Sequence, residues 1–473
     1  MLHKNIAIAV VGAGPAGLSM AQALHQLGYT NVTVYERSAQ DSFDPARAFN
    51  VTLAPIGLKA WADLGLTTIQ DAAVPLYGQH IFPTPEMMIT APYTPEGNRP
   101  FLWSIPRAAI VDTLLEEAKA MGIKIQYGTP FDMQKSDYGL GQPAQVIFGA
   151  DGYNSPVRKV IGHTHGDSDE SLQAQKFVLS YFSMNSTDLP AHVDPHYFHV
   201  WPLEDLGITI GGMSIKSGGM NLVVFGPEEN LAPFKDLEKR KELLQRMGFT
   251  DTMVPHLEND IIIGGLYSGK FEHWSGTDAQ GRLLIGIGDA THPITPFIGV
   301  GINQAAEDVA LMHTLLNAGL SFADAAQRLQ AERKPQTDAR TEIAEISADN
   351  MLNGFSDPLL SQIKDFFYGQ GKDLMYYLTE PFERVSVLVS DAPQALKDVH
   401  TQDKILGEIK ALLITHCTPN AVQDHLEPIL KSLFLNEGPI QESWLKPEAS
   451  TEAIKHDAKA LLDRIKQLPR LVF

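Results

Sequence analysis

Six apolar residues in a row, Ile6 to Val11, break at Gly12 and give way to apolar positions spaced by three and four. A strand buried on both faces has no polar side to alternate with, so the run reads as a parallel strand inside a sheet. Ala16, Met20, Ala23, Leu24 and Leu27 then form a helical stripe that starts near Pro15 and stops at Gly28, a residue suited to the turn beyond a helix. Residues 31–35 alternate as a second strand ending beside Glu36. The pattern also predicts helices over 107–121 and 303–317 and strands over 146–148 and 283–287.

Between these pieces the character changes. Five short β-rich segments, 177–183, 196–201, 208–213, 222–225 and 261–267, predict a mostly antiparallel sheet inserted between parts of the first domain. From about Ser321 onward the pattern is helical, with amphipathic stripes Ile405/Ile409/Leu412, Val422/Leu426/Ile429/Leu433 and Ile454/Ala458/Leu461/Ile465/Leu468. The Pro-, Gly- and Glu-rich stretch 436–451 reads as a loop before the last helix.

Composition narrows the chemistry. With 44% hydrophobic and 20% charged residues, the 473-residue chain is an ordinary globular protein. Its net charge of −19 opposes nucleic acid and anionic lipid as partners. Cys417 is the one cysteine, which excludes an intramolecular disulfide, a CxxC redox centre and Cys-ligated clusters, so any redox chemistry comes from a bound cofactor. No apolar run approaches the roughly 20 residues a membrane span needs, and no signal-peptide pattern opens the chain, so a cytoplasmic, reducing location is expected. His163/His165 and His192/His196/His199 lack acid or thiol partners at ligand spacing, and no metal site is expected.

Gly12-Ala13-Gly14-Pro15-Ala16-Gly17 is GxGxxG directly after a strand and opening a helix. The first glycine permits a tight turn, the second lets backbone approach a pyrophosphate, and the third lets helix and strand pack closely. Glu36, 19 residues after Gly17 and followed by Arg37, is spaced to accept from the ribose hydroxyls of FAD or NAD. Two later segments extend the pattern: Gly149-Ala150-Asp151-Gly152 leading to Ser155 and Arg158, and the stretch from Gly286 through Asp289, Pro296 and Gly299 to Asn303. An acid at a strand end followed by a helix N-terminus can hold a second sugar-like and phosphate region.

These three motifs, in this order, resemble the group A flavoprotein monooxygenases, the p-hydroxybenzoate hydroxylase-like family, over about residues 6–316. The resemblance implies an α/β fold. A Rossmann-type FAD domain with a parallel sheet (1–75, 101–175 and 270–320) is interleaved with a mostly antiparallel substrate-binding sheet (76–100 and 176–269). A helical segment (321–400) closes the active site, and a C-terminal helical extension (401–473) follows. FAD is expected to be held non-covalently by Gly12, Gly14, Pro15, Ala16, Gly17, Glu36, Arg37, Arg47, Arg107, Asp151, Asp289, Pro296, Gly299, Gly301, Ile302 and Asn303. NADPH or NADH visits as co-substrate, and O2 supplies an oxygen atom to a small aromatic substrate. Thr291 and Val300 depart from the family's usual Ala and Gln.

Within the family the strand segments 47–53 and 196–202 are most similar to the kynurenine 3-monooxygenase branch. That likeness implies substrate contacts at Gln79, Tyr93, His199, Asn350 and Tyr377, with Pro296, Tyr93 and Tyr377 nearest the reacting atoms. Gln79 stands where the branch has a carboxylate-binding arginine, and a neutral amide grips a carboxylate more weakly than a guanidinium. A different substrate from that branch is therefore expected, unless Arg99 takes the arginine's place by an inward fold of the loop 94–100, against the usual solvation of loop arginines. The competing readings are another FAD-dependent oxidoreductase, such as an oxidase, a reductase or an oxygenase of a non-aromatic compound, and a flavin-binding interaction protein whose C-terminal helices dock a partner or a second copy.

Overall fold

The computed structural model describes residues 4–40, 49–84, 87–93, 100–167, 172–184, 192–216, 218–249, 262–353, 357–368 and 391–466. The chain forms two compact units, residues 1–347 with 386–392, and residues 348–385 with 393–473.

The first unit opens with β1 (Ile8–Val11), α1 (Pro15–Gln26), β2 (Val32–Tyr35), β3 (Asn50–Leu53), α2 (Pro55–Asp63) and β4 (Val74–Leu76). It continues through β5 (Gly78–Thr84), β6 (Met87–Pro92), β7 (Leu102–Pro106), α3 (Arg107–Ala120), β8 (Lys124–Gln126), β9 (Val146–Gly149) and α4 (Pro156–His165). The next stretch holds β10 (Leu172–Met184), β11 (Tyr197–Leu203), β12 (Ile208–Ser214), β13 (Met220–Pro227), α5 (Glu228–Leu231) and α6 (Leu237–Arg246). After β14 (Ile262–Gly269), β15 (Ser275–Thr277) and β16 (Leu283–Gly286) come α7 (Gly301–Asn317) and the long α8 (Phe322–Asn353), whose last residues, from 348, belong to the second unit.

Three sheets result. The first has strand order β15-β16-β9-β1-β2-β8, in which β1 pairs in parallel with both β2 and β9. All four residues of β1 are buried, which is why the run Ile8-Ala9-Val10-Val11 shows no alternation. Helices α1, α3 and α7 contribute Leu18, Leu114 and Val309 to the core on one side, while α4 contributes Val157 and Ile161 to a cluster containing Ala9 and Ile147. The second sheet runs β14-β10-β13-β12-β11-β5-β6, antiparallel throughout except where β11 meets β5 in parallel. A small sheet, β3-β7-β4, joins the two.

Residue alternation divides the seven-stranded sheet into two faces. A Cβ on Gly212 would meet Trp201 and Leu222, whose face is packed with Phe234, Leu243 and Leu244 from the segment containing α6. A Cβ on the adjacent Gly211 would meet Phe198 and Phe225 instead. On that second face Phe198 packs near Ala54, Leu76, Tyr93 and Leu102.

The second unit contains α9 (Pro358–Tyr368), α10 (Ala392–His416), α11 (Pro419–Leu430) and α12 (Thr451–Lys466). Its core takes Ile405, Ile409 and Leu412, Leu426 and Ile429, and Ile454 and Leu461 from the three amphipathic stripes. The 436–451 stretch is tied back to α10: Cys417 bridges to Leu445, and the Lys446 N–H donates to the His416 carbonyl. No helix among the described residues is long and apolar enough to cross a membrane.

Candidate functional site

The glycine loop follows β1 directly. Gly12 has φ +105°, and a Cβ there would fall 2.4 Å from the Ala150 carbonyl oxygen. At Gly17 a Cβ would fall 1.9 Å from the Gly12 oxygen, so α1 can sit this close to the turn only with glycine. Gly14 is different: nothing lies within 4 Å of its absent Cβ, and its φ of −78° suits any residue. Its smoothness serves whatever approaches from outside. Pro15 opens α1 and no side chain caps the helix, which leaves the leading N–H groups and the positive end of the helix dipole directed outward. At the end of β2, Glu36 accepts from the Ala13 N–H through Oε2 and from the Ser38 N–H through Oε1, both at 2.9 Å. The carboxylate is thereby fixed beside the loop, while Arg37 points to solvent.

The middle motif braces the third one. Ser155 caps α4 through the Arg158 N–H at 2.9 Å, and the Val157 N–H donates to Asp151 Oδ2 at 3.3 Å. Burial pushes the Asp151 carboxyl up to about 6 despite Ser155, that N–H and Arg158. Arg158 Nη1 donates to the carbonyls of Tyr153 (2.8 Å) and Ala290 (3.2 Å), with the guanidinium 4.0 Å from the Phe271 ring centre. Asp151 thus acts on the start of α4, and Arg158 ties that helix to the residue after Asp289.

In the third motif, Gly288 (φ +61°) turns the chain after β16, and Asp289 is open to solvent within a crowded recess. That crowding raises its pKa against the pull of Arg107 and His292. Arg107, half-buried at the start of α3, is therefore near enough to act on Asp289, although the two are far apart in sequence. Pro296 is half-buried in the turn Pro296–Ile298, and Gly299 (φ +64°) ends that turn. Gly301 and Ile302 begin α7, again without a side-chain cap.

The geometry corrects one expected contact, at His199, and gives the side chain of another expected residue, Asn303, a structural role. Asn303 turns its amide inward: Oδ1 accepts from the Ala54 N–H at 2.8 Å, and Nδ2 donates to the carbonyls of Thr52 (2.9 Å) and Gly299 (3.1 Å). Its side-chain amide fastens the Gly299 loop to β3, while its backbone N–H stays in the uncapped first turn of α7. His199 lies with Trp201 on the sheet face that is covered by α6, its ring stacked at 5.9 Å on Phe82 and 5.6 Å from Trp201. Side chains alternate along β11, so Phe198 takes the other face, and His199 is core.

Gln79 and Tyr93 do lie on the Phe198 face, Gln79 through its parallel register with Phe198 and Tyr93 through packing with it. On the same face, the Phe225 ring lies 5.3 Å from Phe297 of the third motif. Asn350 belongs to the second unit near the end of α8, and Arg47 and Tyr377 lie outside the described residues.

Sequence reasoning missed the supports behind the loops. Asp308 of α7 is fully buried; its Oδ2 accepts from the Gly288 N–H at 3.0 Å and lies 2.5 Å from His292 Nε2. Arg333 on α8 donates to Asp308 Oδ1 at 2.9 Å and to Glu307 at 3.0 Å, and Arg340 adds a 2.7 Å contact to Glu307. Burial pushes the Asp308 carboxyl up, but His292, Arg333 and the Gly288 N–H outweigh it and hold it at about 2. A signal was present, since an acid inside the apolar stripe of a predicted helix is almost always paired. Asn50 likewise bonds Ser104 Oγ (2.7 Å) and the Ser214 carbonyl (3.1 Å), and receives Asn221, linking β3 and β7 to the larger sheet.

An open glycine at the helix entry, two uncapped helix starts, an acid at the end of β2, and Asp289 within the electrostatic reach of Arg107 fit the two halves of a flavin dinucleotide. Fold and site define a flavoprotein of the Rossmann type. The chain belongs to the FAD binding domain family, whose model matches residues 5–342, and it is an FAD-dependent monooxygenase.

Among curated proteins it is similar to kynurenine 3-monooxygenase of Flavobacterium johnsoniae, 27% identical over 385 residues, covering 74% of this chain and 81% of that protein. The enzyme of the same name from Dictyostelium discoideum is 26% identical, with 74% and 80% covered. Among solved structures, Klebsiella pneumoniae HpxO in complex with FAD and uric acid matches at TM-score 0.60 and 20% identity, over 75% of this chain and 92% of that one. The tetrameric form of 2-methyl-3-hydroxypyridine-5-carboxylic acid oxygenase matches at TM-score 0.60 and 18% identity, over 81% and 97%.

Proposed function

We propose that the chain hydroxylates a small aromatic substrate with NAD(P)H and O2. Bound FAD supplies the redox chemistry, so that one oxygen atom enters the ring and the other leaves as water. The observation that carries the reading is the aromatic wall beside the third motif, where Phe225 meets Phe297 one turn before the Gly299–Asn303 segment.

The chain's own residues have three tasks. The start of α1 and Arg107 bind phosphate, and Glu36 accepts from ribose hydroxyls. Phe198, Tyr93 and Phe225 hold a flat ring and keep water from it. Asn303 and Asp308 keep the loops between them in register.

The test is steady-state NAD(P)H oxidation and O2 uptake with a panel of aromatics that includes kynurenine, followed by mass analysis of the products. Stimulated oxidation and a product heavier by one oxygen atom support the reading. No stimulation by any aromatic, or hydrogen peroxide as the sole product, rejects it and favours an oxidase. A cytoplasmic setting, supported by the buried lone thiol Cys417, and a docking role for the C-terminal helices belong to the same proposal.

A further inference from the structure

Five strands of the seven-stranded sheet, β5, β6, β11, β12 and β13, present no charged side chain among the described residues on the face that carries Phe198 and Phe225. Register assigns to it alternate positions of β5, β6, β11, β12 and β13. Among the described residues each of these positions is apolar, glycine, or a neutral polar side chain. Asn221, one of the polar ones, is already bonded to Asn50. Gln79 is different: it is half-buried, it lies in register with Phe198 on one side and Ala91 on the other, and its amide makes no hydrogen bond to any described residue. It is a donor and an acceptor held in an aromatic setting, with both ends available.

Desolvation decides what such a face accepts. A carboxylate moved from water onto it forfeits hydration worth several kcal/mol, and a neutral amide returns only an ordinary hydrogen bond. The chain's net charge of −19 adds a further long-range term against an anion. A neutral amide, hydroxyl or amine group carries no such penalty and matches both ends of Gln79.

We propose that Gln79 makes this face of the sheet selective for an aromatic substrate whose polar substituent is uncharged. The proposal rests on the monooxygenase reading and adds the substrate's charge class to it.

The experiment uses the FAD-loaded full chain and two matched ligand pairs, 2-aminobenzamide against 2-aminobenzoate and 4-hydroxybenzamide against 4-hydroxybenzoate. Dissociation constants come from equilibrium dialysis, independently of turnover. The wild-type protein is expected to bind the amides at least about tenfold more tightly than the carboxylates. Gln79→Arg is expected to invert that order, because a guanidinium engages a carboxylate through two charge-assisted bonds. Gln79→Leu is expected to weaken the amides without recruiting the carboxylates, and it serves if the arginine variant does not fold. Equal or tighter binding of the carboxylates by the wild type overturns the proposal, as does failure of all four ligands to bind while other aromatics stimulate NAD(P)H oxidation. If no aromatic of either class stimulates oxidation, it is the monooxygenase reading that falls.

Discussion

His292 Nε2 lies 2.5 Å from Asp308 Oδ2, and both side chains are buried directly behind the loop that presents Asp289. The same carboxylate oxygen receives the Gly288 N–H, so the position of Asp289 depends on a charge it never touches. Replacing Asp308 by Asn removes that charge and leaves the buried Arg333 with Glu307 alone. Breaking a buried pair in this way costs about 3–5 kcal/mol. Asp308→Asn is expected to lower the denaturation midpoint and to weaken FAD binding at least about tenfold. A flavin fluorescence titration that gives an unchanged dissociation constant would show that the loop does not depend on the pair.

His199 predicts a specific acid sensitivity. Burial first, and then the neighbouring His80, depress its pKa to about 3, against the weaker opposing pull of Asp194. Both ring nitrogens are buried with no hydrogen-bond partner among the described residues. The unfolded chain therefore takes up this proton near the ordinary histidine value while the folded chain refuses it. The folded state keeps its full advantage above about pH 6.5, and that advantage falls away as pH drops toward 3, by up to about 1.4 kcal/mol per pH unit. His199→Leu removes the titration. Denaturant melts at pH 7 and pH 5 should show a smaller loss of stability in the variant than in the wild type; parallel losses would contradict the assignment.

Asn303 joins three segments, so its substitutions should be graded by hydrogen-bond chemistry. Asn303→Ala strands the Ala54 N–H and the Thr52 carbonyl and is expected to destabilise by about 2–4 kcal/mol. In Asn303→Asp one oxygen can still accept from Ala54, but the other replaces the Nδ2 donor and faces the carbonyls of Thr52 and Gly299. The aspartate variant should therefore be no better than alanine at neutral pH and should partly recover at low pH, where a protonated carboxyl can donate. Thermal melts of both variants across pH 4 to 7 check the order.

These cases also explain which parts could be read beforehand. The glycine loop was legible because its cues are local: an unbroken apolar run, three glycines at fixed spacing, and an acid at the next strand end. The hairpin β5–β6 was not, since prolines at 83 and 85 break the sequence pattern and Met87, Met88 and Ile89 sit exposed in its second strand, so no alternation marks it. His199 shows a different limit. Alternation pairs it with Trp201, but only the packing of α6 on that side decides which face is core and which looks toward the flavin motifs. Gln79 joins Phe198 only through the parallel pairing of β5 with β11, a contact between segments more than a hundred residues apart that no local pattern encodes.

The glycine loop supplies the sharpest separation of binding from folding. Gly14 has a negative φ and open space where a Cβ would go, so Gly14→Ala asks nothing of the protein itself. Its added methyl group meets only what binds there. The apo-protein melt is expected to stay within about 0.5 kcal/mol of wild type, while FAD affinity falls by an order of magnitude or more because the pyrophosphate can no longer reach the backbone. Gly17→Ala must fail in both respects, since its Cβ would overlap the Gly12 carbonyl inside the fold. If Gly14→Ala binds FAD as the wild type does, the dinucleotide does not cross the loop at this point, and the assignment of the ADP half to the start of α1 is wrong.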